Sequence, residues 1–239
     1  NKIKFDNVCF SYNNDRQVLS NIAIDANNND KIAIVGRTGC GKTTLVNLLC
    51  KFYDVSKGEI LINEKNINDY TLESLRENIG YVMQDVVIFD GNIYDNINYA
   101  KKDVTKEQIE KICKKLRLHD KIISFNEGYE LDLNKNQDLF SMGEKQMINF
   151  ARIMVENPSV VILDEITSSL SYENEELVKN AIKEVTKDKI CFIIAHRLTT
   201  IKSCNKIIYM ENGNILENGN HQELMDLKGK YYELVSNNI

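Results

Sequence analysis

Eight consecutive residues, Gly36-Arg37-Thr38-Gly39-Cys40-Gly41-Lys42-Thr43, fit the pattern G-x-x-x-x-G-K-[ST]. Glycines let a backbone wrap a phosphate chain without Cβ clashes, so that successive N–H groups point at its oxygens. A helix beginning near Gly41 adds its positive end to the same place. Lys42 is then expected to reach the β- and γ-phosphates, and the Thr43 hydroxyl to ligate Mg²⁺, with Arg37, Thr38, Gly39, Cys40 and Thr44 completing the nucleotide contacts. By composition alone such a match would arise in roughly one random chain in a hundred. The flanks argue further against a mere glycine-rich turn, since a short apolar run, Lys31–Val35, precedes the loop and a helical stretch, Lys42–Phe52, follows it.

A second cluster is acidic. The apolar run Val160–Leu163 ends in Asp164 and Glu165. A solvated strand end is the plainer reading, but a core strand rarely ends in two adjacent acids without a use. Asp164 at the strand tip suits Mg²⁺ held through water. Glu165, one residue further on, is placed to accept a proton from an attacking water, help that is typically worth ~10²–10⁴-fold in rate.

These groups need a scaffold, and the chain is long enough to supply one. It has 239 residues, 30 Lys+Arg against 35 Asp+Glu, and a formal net charge of −5. That acidic balance gives no reason to expect nucleic acid as a partner. Apolar runs are short against the ~18–20 residues a membrane helix needs. The N-terminus carries no signal-like apolar stretch, and the absence of an initiator Met suggests a piece of a longer protein. Six cysteines form no C-x-x-C pair and no zinc-like spacing with histidine. Cys40 alone admits two readings, an inert small residue or an accessible thiol pushed towards thiolate by the helix N-terminus. Strand patterns at residues 2–10, 31–35, 58–62, 79–83, 160–163, 190–195 and 206–210 alternate with helical ones at 42–52, 173–185 and 231–235, which argues for an α/β layer structure with a mostly parallel sheet. From about Asp85 to Asn157 the periodicity is helical, as at Lys106–Leu116 and Lys145–Val155, and reads as a helical insertion in the α/β core.

Taken together, the motifs resemble the nucleotide-binding domain of an ABC transporter of the exporter type, over essentially the whole chain. Tyr12 in Phe10-Ser11-Tyr12 matches the aromatic that stacks on adenine. Gln84 matches the Q-loop glutamine, a Mg²⁺ and water contact at the junction with the membrane domains. His196 matches the switch histidine that contacts the γ-phosphate. Phe140-Ser141-Met142-Gly143-Glu144 stands in the signature-motif place, and Ser168–Ser171 in that of the D-loop. His119 and His221 have no such support and read as structural.

The resemblance implies a RecA-like P-loop NTPase core, residues 1–85 and 157–239, with a mostly parallel sheet, an antiparallel β part near the N-terminus, and a helical subdomain at 86–156. It implies Mg²⁺ and ATP as ligands, with Glu165, His196 and Gln84 in catalysis, Thr43, Gln84 and Asp164 around the metal, and Ser141 and Gly143 contacting the nucleotide of a second domain. Two such domains would close head to tail on ATP and drive membrane domains, absent from this chain, from the cytoplasmic face of a bacterial cell membrane. The usual signature is L-S-G-G-Q, so Phe140, Met142 and Glu144 are departures, as are Asn134–Gln137 and Ser171 elsewhere. With Lys42, Asp164, Glu165 and His196 intact, this split resembles one half of heterodimeric multidrug exporters. Two other readings compete. A non-transport ATPase of the family, working on ribosomes or DNA ends, normally carries a second such domain or a long coiled-coil insertion, for which the interval from Lys42 to Asp164 has no room. A regulatory module without useful turnover is opposed by Glu165 and His196.

Overall fold

The computed structural model describes residues 1–12, 17–83, 85–99, 104–164, 172–195 and 197–237, the side chains of 172–175 excepted. Its strands are β1 (Lys2–Ser11), β2 (Gln17–Asn27), β3 (Lys31–Val35), β4 (Lys57–Ile62), β5 (Lys65–Asn66), β6 (Ile79–Val82), β7 (Val160–Asp164), β8 (Ile190–Ile194), β9 (Lys206–Glu211) and β10 (Asn214–Gly219). Its helices are α1 (Lys42–Leu49), α2 (Leu72–Glu77), α3 (Ile93–Ile97), α4 (Lys106–Lys115), α5 (His119–Ile123), α6 (Met142–Glu156), α7 (Tyr172–Val185), α8 (Leu198–Lys202), α9 (His221–Leu227) and α10 (Lys230–Ser236).

Two sheets form. A six-stranded one runs β10-β9-β3-β8-β7-β6, parallel throughout except for the antiparallel β9–β10 hairpin at one edge. A four-stranded antiparallel sheet runs β2-β1-β4-β5. The fold is therefore the expected α/β class, a P-loop NTPase core with an antiparallel β part and a helical segment.

Side chains of the parallel strands alternate between two cores, as the period of two requires. Ile32, Ile34, Ile162, Phe192 and Ile194 join α1 and the antiparallel sheet in one apolar cluster. Ala33, Val35, Val161, Leu163, Cys191 and Ile193 face the other way, into a cluster shared with α3, α4 and α6. Each fully buried isoleucine or phenylalanine contributes about 1.5–3 kcal/mol. The helical stretch thus shares its core with one face of the sheet.

The structure corrects one expectation and adds two strands that the sequence pattern did not show. α1 stops at Leu49 rather than Phe52, because Lys51 turns left-handed at φ 53° and breaks the helical bonding. β2 carries buried Leu19, Ile22, Ile24 and Ala26, but left-handed Asn21 (φ 50°) interrupts the alternation and hides the strand from a periodicity reading. β10 buries none of its residues, so no apolar pattern marks it.

Candidate functional site

The C-terminal ends of β3, β8, β7 and β6 lie side by side, with Ile34 opposite Ile194 and Ile194 opposite Asp164. In parallel α/β sheets this edge is where ligands bind. The loop of residues 36–41 leaves β3 there and opens α1. A Cβ at Gly36 would run into the Met210 carbonyl oxygen, whereas one at Gly39 (φ +78°) would meet nothing within 4 Å, leaving backbone open to an approaching ligand. The loop is pinned from behind, Gly213 N–H donating to the Cys40 carbonyl at 3.1 Å and Ser20 N–H to the Gly213 carbonyl at 2.9 Å.

α1 begins with no side-chain cap and no acid in its first turn. Its leading N–H groups therefore have no helical acceptor and no competing carboxylate within the helix's own first turn. Lys42 is only 6% exposed. Its ammonium donates to the carbonyls of Gly36 at 3.0 Å and Arg37 at 3.2 Å. Among the described residues no carboxylate pairs with it. A buried cation whose partners among the described residues are carbonyl dipoles, beside uncapped amides, is poised for an anion. Thr43 is exposed, so its hydroxyl is open to a metal, while Thr44 is buried and shares a 3.0 Å hydrogen bond with the Tyr12 hydroxyl. Residues Gly36–Thr38 also line, with Ala195 and the apolar Leu198, Ile201, Leu234 and Val235, an open cavity of about 660 Å³.

Tyr12 is half exposed, its ring edge-on to Phe10 at 4.9 Å and to Tyr53 at 5.0 Å. Its tether to Thr44 joins this aromatic cluster to α1, so a base stacked on Tyr12 and phosphates in the loop would be read by one rigid unit. Tyr53 was not singled out by the sequence; the Phe52-Tyr53 pair just beyond α1 was the available signal.

Asp164 sits half-buried at the tip of β7, where the Tyr81 phenol on neighbouring β6 donates to its Oδ2 at 2.9 Å. Burial first, and the Asp164 carboxylate second, push the Tyr81 phenol well above its ordinary range, so it stays a donor. Tyr81 orients the carboxylate and also went unflagged, although a tyrosine inside a short apolar strand ending near Gln84 was a cue. Among the described residues no three His, Cys, Asp or Glu side chains gather as a metal cage. The hard oxygens of Thr43 and Asp164 suit Mg²⁺ shared with phosphate oxygens. Gln84, Glu165, Ser168–Ser171 and His196 lie outside the described residues; Met83, Asp164 and Ala195 immediately precede Gln84, Glu165 and His196 at the shared sheet edge.

Away from that edge, Ser141 caps α6. Its hydroxyl accepts from Glu144 N–H at 3.2 Å and the Glu144 carboxylate accepts from Ser141 N–H at 2.7 Å. Gly143 is buried and Met142 is 47% exposed. Lys121 stands 4.0 Å from the other Glu144 oxygen.

The reactive reading of Cys40 is corrected. Its thiol is buried, and desolvation outweighs the Lys42 charge to push its pKa up. Its N–H is also spent on the Arg37 carbonyl at 3.2 Å. Since only the thiolate alkylates, the folded chain should label at Cys40 more slowly than an exposed thiol at neutral pH, with the rate still climbing above the usual cysteine range. Mass-spectrometric labelling rates from pH 7 to 10 check this; fast labelling of the folded chain at pH 7 would contradict it.

A family model described as ABC transporter matches residues 19–168. A Bacillus subtilis protein named for multidrug export as an ATP-binding/permease protein, YgaD, is 42% identical over 233 residues, covering 97% of this chain and 40% of its own length. A Mycoplasma genitalium protein named as an ABC transporter ATP-binding protein, MG015, is 38% identical over 237 residues, covering 99% of this chain and again 40% of its own. The solved structure of a bacterial Atm1-family ABC exporter with ATP bound superposes with a TM-score of 0.91 at 33% identity, over 99% of this chain and 41% of that one. The chain thus spans about two fifths of the length of these relatives.

Proposed function

The chain belongs to the ABC transporter family, and from that premise we propose that it is the ATP-hydrolysing motor domain of an exporter, working from the cytoplasmic face of a membrane on membrane domains outside these residues. The observation that carries the reading is the buried Lys42, paired with no carboxylate among the described residues, beside the uncapped start of α1. ATP is the substrate, its phosphates held by the 36–41 loop and Lys42 and its base by Tyr12. Mg²⁺, held by Thr43, Asp164 and Gln84, would neutralise charge between the β- and γ-phosphates. Glu165 takes the proton from the attacking water, and His196 contacts the γ-phosphate. The division into a core at 1–85 and 157–239 and a helical subdomain at 86–156 follows the same reading.

We further assign the Ser141–Glu144 start of α6 to the nucleotide of a second domain, across a heterodimer interface. The Glu144 carboxylate already occupies the Ser141 amide, so an arriving γ-phosphate meets a negative charge at a helix end that would otherwise attract it. Met142 adds bulk where the backbone must approach phosphate. The site built with this signature is therefore the slower one. Glutamine at 144 can still cap Ser141 but removes the charge. Glu144→Gln is expected to tighten ATP-driven dimerisation by about 3–5-fold, the size of a helix-end charge effect of up to ~1 kcal/mol. Sedimentation of Glu165→Gln chains with MgATP, with and without Glu144→Gln, measures it; equal or weaker dimers would oppose the assignment. The heterodimer reading is tested by ATPase assays of this chain alone and mixed with its cognate partner domain. Weak turnover alone that rises on mixing supports it, and strong turnover alone contradicts it.

A further inference from the structure

Arg152, on α6 and 11 residues beyond the Ser141 cap, is 9% exposed. Its guanidinium meets four oxygens. Nε donates to the Asn96 carbonyl at 2.6 Å and Nη2 to Asn96 Oδ1 at 2.9 Å, while Nη1 donates to the Val87 carbonyl at 2.7 Å and to Asn149 Oδ1 at 2.9 Å. Asn96 is fully buried, and its amide is saturated. Besides Arg152, its Oδ1 accepts from Phe89 N–H at 2.9 Å, and its Nδ2 donates to the carbonyls of Phe89 and Asn92, both at 3.0 Å. With two lone pairs and two N–H groups all engaged, that side chain has one geometry. The guanidinium also lies over the Phe89 ring at 4.7 Å, and Phe89 stacks on Tyr99 at 4.2 Å.

A planar fork held in several directions resists sliding as well as separation, which a point charge does not. We propose that Arg152 is a positioning residue that locks α6 to the segment 87–96, so that the helix start at Ser141–Glu144 and the chain just beyond Gln84 move as one body. The inference rests on the motor reading only in what that motion accomplishes: it makes the nucleotide-facing end of α6 follow the chain just beyond Gln84, the residue that the motor reading puts at the junction with the membrane domains. Burial lowers the guanidinium pKa to about 10 with Glu156 opposing, so the clamp stays charged at neutral pH.

Lysine at 152 keeps the charge and stem but loses the fork. In the 239-residue chain, Arg152→Lys is expected to bind one MgATP with a Kd within twofold of the parent. In the Glu165→Gln background its ATP-driven dimer midpoint should rise about tenfold. Amide hydrogen exchange should accelerate in 87–96 and in 141–145 together, a linkage that simple loss of stability would spread over the whole chain. Asn149→Ala, which removes one of the four bonds, should give the same pattern at smaller size, and it decides the matter by exchange if Arg152→Lys does not fold. Acceleration confined to 87–96, or a dimer midpoint unchanged from the parent, overturns the clamp. The exchange arm needs no nucleotide, so a parent chain that binds no MgATP overturns the motor reading and leaves the clamp to be judged by linked or unlinked exchange.

Discussion

Alanine in place of Lys42 should lower MgATP turnover by about 10²–10³-fold, the usual loss when one preorganised donor to a developing negative charge is removed. Nucleotide affinity should fall as well, by about 10–100-fold, since a hydrogen bond to a charged group contributes ~1.5–3 kcal/mol. The fold should tolerate the change, because the variant removes a buried ammonium whose described partners are two loop carbonyls, Gly36 and Arg37, on a loop that faces an open cavity. Arginine should not rescue: its planar, forked guanidinium differs in shape and reach from the compact ammonium that donates to the Gly36 and Arg37 carbonyls. Steady-state ATPase and equilibrium binding on chains with matched melting temperatures make the comparison. Turnover within threefold of the parent for Lys42→Ala would contradict the assignment of the phosphate loop.

Glu165→Gln should cut turnover by about 10²–10⁴-fold while leaving MgATP binding in place, because only proton acceptance from water is lost. The two effects separate on the dimer. Where hydrolysis normally removes the charge bridge between two domains, the variant should accumulate an ATP-bound dimer visible by sedimentation, and Lys42→Ala should not. Unchanged turnover in Glu165→Gln would place the general base elsewhere and contradict this role of Glu165.

The sequence was most legible where chemistry forces a pattern into contiguous residues. The 36–43 loop needs glycines, a lysine and a hydroxyl in order, and strand Val160–Asp164 needs an apolar run ended by an acid, so both could be found before any packing was known. The parallel strands showed as near-continuous apolar runs because both faces are covered. What stayed hidden was whatever depends on residues distant in the chain. Tyr81 meets Asp164 only because β6 and β7 pair in parallel, 83 residues apart. Arg152 reaches Asn96 across 56 residues, and on sequence it is one polar residue on an amphipathic helix. β10 was invisible for another reason: as an edge strand with no buried side chain it is held by backbone bonds to β9, which leave no compositional mark. The reactive reading of Cys40 failed because the helix end that favours thiolate was legible and the burial that opposes it was not.

Calorimetric titration of the folded chain with MgATP tests the central claim most directly. One nucleotide taken up per chain, with the heat lost in Lys42→Ala, is the predicted result. Absence of adenine-nucleotide uptake by material whose melting curve shows it intact would contradict the account at its root.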